Sequence, residues 1–136
     1  MVIKRNKGGA HMPELFESIA QQDYLRLYEG KKPQYNRIAN LLDLKQDEIS
    51  DATGVPKTSV RYDTKMPQQL KERLVEWATL LNLVAGHFKG DRDKTIQWLM
   101  TPNPLLGFIS PRDMIKLGRY KKLLKFVYNA LSENKT

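Results

Sequence analysis

Gln46-Asp47-Glu48-Ile49-Ser50-Asp51-Ala52-Thr53-Gly54-Val55-Pro56-Lys57-Thr58-Ser59-Val60-Arg61-Tyr62 is the stretch of this 136-residue chain whose reading decides the fold. A short helix over about 45–52 points Ile49 into a core and puts the small Ser50 where a second helix crosses. Gly54 takes the turn, because a positive φ angle costs glycine little. Val55 packs under the turn, and Pro56 is acceptable at a helix start. A further helix is then expected from about Lys57, with Val60 facing back onto the first. Lys57, Thr58, Ser59, Arg61, Tyr62 and Lys65 are left outward, basic or hydroxylic side chains suited to phosphates and base edges. Together these features predict a helix-turn-helix at 45–65, with Lys57, Arg61 and Tyr62 in a DNA groove. Its charge is dipolar: Asp43, Asp47, Glu48 and Asp51 lie in the earlier element, and Lys57, Arg61 and Lys65 in the later one. Asp63 departs from the pattern, since an apolar residue is usual there; a short second helix with Met66 as its contact accommodates it. The competing reading is a helical hairpin that never touches DNA.

Outward from this unit the periodicity is helical throughout, with no convincing strand alternation, so the expected fold class is all-α. Pro13 opens a loosely helical segment with Leu15, Phe16, Ile19, Leu25, Leu27 and Tyr28, ending near Gly30. Pro33 opens a helix with apolar positions Tyr35, Ile38, Ala39 and Leu42. Pro67 starts the clearest helix, in which Leu70, Leu74, Trp77, Leu81, Val84, Ala85 and Phe88 step by three or four. Lys89-Gly90 breaks it, and Asp91 caps a helix over about 92–100. Thr101-Pro102-Asn103-Pro104 forces a connector. Ser110-Pro111-Arg112-Asp113 is a strong helix start, Gly118 interrupts, and a last helix covers about 119–131. The expected organisation is a tail or cloning remnant over 1–12, a helical DNA-binding region over 13–88, and a small helical domain over 89–136.

Composition limits the function. Apolar residues make up 40% of the chain, enough for a core, yet no apolar run approaches the roughly 18 residues of a membrane span. The start lacks the apolar stretch of a signal peptide, so a cytoplasmic location is expected. The absence of cysteine removes disulfides, thiolate catalysis and thiolate-ligated metals. The net charge is +8, and residues 89–136 carry +6 of it, a balance that attracts polyanions. His11 and His87 have no ligand or nucleophile at productive spacing, and no glycine-rich phosphate loop occurs. No catalytic residue, metal site or cofactor is therefore expected.

From Thr95 onward the chain resembles a known family. Ile96-Gln97-Trp98-Leu99, Pro102-Asn103-Pro104, Leu106-Gly107, Ser110-Pro111 and Met114-Ile115 are similar to the Xre/MbcA/ParS toxin-binding domain, which in that family follows a helix-turn-helix. The combined resemblance covers roughly residues 35–131. It implies an antitoxin of a type II toxin–antitoxin pair: a homodimer that binds a toxin through its carboxy-terminal domain and represses its own operon through duplex DNA. The implied toxin is of the RES-domain type, which degrades NAD. Phe108 departs from the family pattern, standing where a second small residue is common. A solitary DNA-binding regulator and a protein-binding adaptor are the alternatives.

The residues themselves give the second half a core of Trp98, Leu99, Met114, Ile115, Leu117, Leu123, Leu124, Val127 and Leu131, with Pro102, Asn103, Leu106 and Gly107 fixing a rigid connector. Lys116, Arg119, Lys121, Lys122 and Lys125 occur with no acid across 116–125. With Arg112 they are the expected partner-binding residues; toxin docking, DNA backbone contact and plain solvation compete for them. Extra apolar positions on the long helix, Leu80, Leu83 and Val84, point to a two-fold dimer.

Overall fold

A computed structural model of the chain describes residues 22–133. The tail over 1–12, the first part of the segment expected to be helical from Pro13, and the last three residues lie outside them. The fold is all-α apart from one small hairpin. In order come β1 (Tyr28–Glu29), β2 (Lys32–Pro33), α1 (Tyr35–Leu41), α2 (Gln46–Thr53), a 3-10 turn (Lys57–Ser59), α3 (Gln68–His87), α4 (Arg92–Met100), a second 3-10 turn (Pro104–Leu106), α5 (Pro111–Lys116) and α6 (Tyr120–Glu133). The two strands pair antiparallel, Tyr28 opposite Pro33.

Helix α3 is the hub. Ten of its residues are buried, and α1, α2, α4 and α6 all pack on it. Leu70, Leu74, Ala78, Leu81 and Ala85 repeat at the three-to-four spacing of one face, while Leu80, Leu83 and Val84 extend burial round the helix. These last three are covered by the chain's own elements. The apolar surplus from which the sequence predicts a dimer is therefore absorbed within the fold. Helix α5 packs on α2, α4 and α6, so residues on both sides of Lys89-Gly90 share one hydrophobic core, from Leu25 to Val127.

Local chemistry sets the helix ends. The Glu48 carboxylate accepts the Lys45 N–H at 2.9 Å across the first turn of α2. Asp91 and Ser110 accept the Lys94 and Asp113 N–H groups at 3.0 Å, capping α4 and α5 as expected. Gly54 ends α2 at φ 78°, its N–H donating to Ser50 O at 2.8 Å. A Cβ there would meet only Gln69 Nε2 at 3.6 Å, so the left-handed backbone, not crowding, requires glycine. Gly54→Ala is accordingly expected to cost about 1 kcal/mol, read as a lower urea midpoint with an unchanged slope.

Three sequence expectations need correction. The helix expected from Lys57 is a single 3-10 turn followed by irregular chain up to Pro67. Between 57 and 66 only Val60 and Met66 are buried, six residues apart, so no three-to-four apolar repeat holds a helix against the core. The Gln46 side-chain amide also donates to Lys57 O and Val60 O, at 3.0 and 3.2 Å, fixing the turn from outside. Second, residues 22–29 form turns and a strand rather than the end of a helix. Leu25 and Leu27 are nonetheless buried, held by Asp23, whose carboxylate accepts the Leu27 and Tyr28 N–H groups at 2.8 and 2.9 Å. Third, Leu117, expected in the core, is 56% exposed because α5 stops one residue earlier and turns its side chain outward.

Candidate binding surfaces

The expected DNA-contacting residues lie on the loop joining α2 to α3. Lys57, Thr58, Arg61, Tyr62 and Lys65 are exposed there and Ser59 is half-buried, so the residues share a surface but not a helix face. Arg61 is engaged within the chain: its Nε lies 2.8 Å from Asp63 Oδ1 and its Nη2 2.6 Å from Oδ2, a two-pronged pair. Hydrogen bonds from Arg61 and from the Lys65 N–H hold the Asp63 carboxyl below the usual carboxylate range, and the pairing raises Arg61 in turn. Asp63 thus supplies a turn and a counter-charge where a recognition helix would continue.

The six expected partner-binding residues divide into two sets. Arg112 is a structural clamp. Its Nε donates to Leu42 O and its Nη2 to Asp43 O, both at 2.6 Å, and Glu48 Oε1 lies 3.8 Å away. Its side chain is only 17% exposed. These carbonyls end α1, so the guanidinium ties α5 to the α1–α2 corner and satisfies helix-terminal acceptors. Lys116 follows, with Nζ 3.2 Å from Glu48 Oε2. The Lys45 backbone N–H, then Lys116 and Arg112, hold the Glu48 carboxyl below its ordinary range.

Arg119, Lys121, Lys122 and Lys125 form the second set, all exposed on or beside the start of α6. The opposite face of that helix buries Leu123 and Val127. Tyr120 anchors it to α3, its hydroxyl donating to Glu76 O at 3.1 Å; burial, with Glu76 nearby, pushes that phenol well up. Among the described residues none of the four cations has an ion-pair partner.

Among the described residues the most exposed apolar side chains lie elsewhere. Leu105 and Phe108 are 79% and 73% exposed on the connector between α4 and α5. That connector is rigid, as expected from Pro102, Asn103, Leu106 and Gly107. The Asn103 carbonyl accepts the Leu106 and Phe108 N–H groups at 2.9 Å, its side chain accepts the Leu105 N–H at 2.9 Å, and its N–H donates to Ile109 O at 3.1 Å. Gly107 and Phe108 both have positive φ, 73° and 65°. For a bulky residue such as Phe108 this is strained backbone. A groove of about 460 Å³ beside the connector is lined by Phe88, Trp98, Pro102 and Pro104 among others. Trp98 is half-buried at its edge, packed against the core on one side. Phe108 drew attention in the sequence only as a departure from a small-residue pattern. Its exposure needs the loop geometry, and Leu105 carried no signal at all.

An all-helical fold that offers a cationic helix face and a rigid apolar loop defines the class: a small helical recognition protein. Comparison with known proteins supplies the family. No family model matches the chain. The mycobacterial cidal antitoxin MbcA of Mycobacterium tuberculosis is 31% identical over 96 residues, 68% of this chain and 82% of that protein; MbcA of Mycobacterium bovis matches equally. Antitoxin Xre of Yersinia enterocolitica is 30% identical over 73 residues, 51% of this chain and 49% of that protein. Among solved structures, the M. tuberculosis MbcT–MbcA toxin–antitoxin complex contains a chain similar at 24% identity and a TM-score of 0.45, over 74% of this chain and 91% of that one. The chain belongs to the Xre/MbcA-type antitoxin family. Among the described residues no helix is long and apolar enough to cross a membrane.

Proposed function

We propose that this chain is the antitoxin of a type II toxin–antitoxin pair and neutralises its toxin by direct binding through residues 89–133, in the cytoplasm. Membership of a family of antitoxins supports the reading, and one structural observation carries it. Leu105 and Phe108 are held out of the core on a rigid, strained loop, although burial of either would be worth about 2 kcal/mol. Two large apolar side chains kept exposed in this way are anchors for a protein surface. The proposed toxin is of the RES-domain, NAD-degrading type. Repression of the operon through residues 45–65, by a homodimer matching a palindromic operator, completes the proposal, with contacts drawn from a loop and not from a recognition helix. The recognition helix is replaced by a turn, Arg61 is paired with Asp63, and the apolar surplus of α3 is internal.

Co-expression with the adjacent toxin gene is the test: the chain is expected to restore growth and to co-purify with the toxin. Phe108→Gly sharpens it. Glycine accepts φ 65° without strain, so the variant should melt no lower than the parent. Losing the anchor should still weaken toxin binding about 30-fold or more. Undiminished binding by that variant would remove the loop from the interface, and failure of the parent chain to neutralise its neighbour would end the antitoxin reading.

A further inference from the structure

We infer that Arg119, Lys121, Lys122 and Lys125 form a contact surface for the phosphate backbone of duplex DNA, separate from the 45–65 unit and from the apolar loop. The four cations are exposed, none has an ion-pair partner among the described residues, and 116–125 contains no acid. Of the other cations singled out above, Arg61 is paired with Asp63, Arg112 with Glu48 and Asp113, and Lys116 with Glu48. Lys57 and Lys65 are exposed on the α2–α3 loop without an ion pair among the described residues, and are not gathered at one helix as these four are. Burial of Leu123 and Val127 and the Tyr120–Glu76 hydrogen bond fix the helix, so the cations are presented from a rigid element.

Shape adds to charge. Arg119, Lys121 and Lys122 line a concavity of about 390 Å³ that also takes in Arg73 and, from the end of α2, Ala52 and Thr53. Its one carboxylate, Glu76, is covered by Arg73, whose Nε lies 3.0 Å from Glu76 Oε1. The composition distinguishes the occupant. Lysine is depleted from the cores of protein–protein interfaces, where aromatic side chains are enriched. Nucleic-acid interfaces, by contrast, are polar and strongly basic. The Leu105–Phe108 loop has the first character and this face the second. Contacts of this kind are indifferent to base sequence: they position a protein on duplex DNA and make its affinity depend on salt.

The inference does not rest on the toxin reading, and its test separates the two. Binding of the full chain to a short fluorescent duplex is titrated between about 50 and 200 mM salt, for the parent, for Lys121→Gln/Lys122→Gln/Lys125→Gln, and for Lys31→Gln. The triple variant is expected to bind about tenfold or more weakly and to lose about 2–3 from the slope of log affinity against log salt. Its thermal melt should be unchanged, and Lys31→Gln, an exposed lysine outside every surface described above, should bind like the parent. Parent-like affinity and slope in the triple variant would overturn the assignment. So would absence of duplex binding by the parent. Loss of toxin binding with DNA binding intact would instead give the face to an acidic protein partner, and equally overturn it.

Discussion

Arg112→Ala is expected to lower the unfolding free energy by about 2–4 kcal/mol, because it deletes two charge-assisted hydrogen bonds that no neighbour can replace. Leu42 O and Asp43 O close the end of α1 and would be left without the guanidinium, and Glu48 would lose one of its two basic neighbours. Arg112→Lys should recover only part of the loss, since an ammonium cannot span two carbonyls with the geometry of a fork. Urea denaturation measures both. The prediction also separates structure from recognition: if Arg112 touched a toxin, affinity per folded molecule would fall in these variants. Here it is expected to hold at concentrations where the variant remains folded. A stability change under about 0.5 kcal/mol would show that the clamp is dispensable.

Asn82→Leu is expected to cost about 2–4 kcal/mol although it replaces a polar residue by an apolar one of similar size in an apolar helix. Asn82 is 1% exposed in the middle of α3. Its Oδ1 accepts the Leu25 N–H at 3.0 Å, and its Nδ2 donates to Asp23 Oδ1 at 3.0 Å. Asp23 in turn holds the Leu27 and Tyr28 N–H groups. One side chain thus fastens the 23–28 segment, which has no helix of its own, and the change would orphan a buried N–H. Hydrogen exchange should locate the effect: amides of Leu25, Leu27 and Tyr28 should lose protection before those of α3 do. Uniform loss across the chain, or none, would contradict this account.

The helices legible in the sequence were those whose ends carry local chemistry. Asp91, Ser110-Pro111, Pro67 and Gly54 act within three or four residues of themselves, so their effect is the same in any fold that keeps the helix. The core face of α3 was legible for a related reason: apolar residues repeating at helical spacing state which face is inward without naming what covers it. The connector at Pro102–Gly107 was legible as rigid because Asn103 and Pro104 bond and constrain their own neighbours.

The candidate sites were much less legible. Lys116 looks in the sequence like Arg119 and Lys122, all of them in a run free of acid, and Arg112 differs only by the neighbouring Asp113. Only the packing of α5 on α2 brings Glu48, Leu42 O and Asp43 O to Arg112 and Lys116 and leaves Arg119 and Lys122 in solvent. The same holds for residues 57–66. Their turn and hydroxylic residues permit a short helix, but Gln46, reaching across from α2, and the six-residue gap between the buried Val60 and Met66 decide against one. The sequence by itself therefore determined the all-α class, the helix limits set by caps, prolines and glycines, and the inward face of the long helix. Tertiary structure alone decided which cations are free, that Leu80, Leu83 and Val84 are covered within the chain, and that Leu105 and Phe108 stand exposed. Those outcomes depend on partners many residues away in the chain, and periodicity and capping act only over a few.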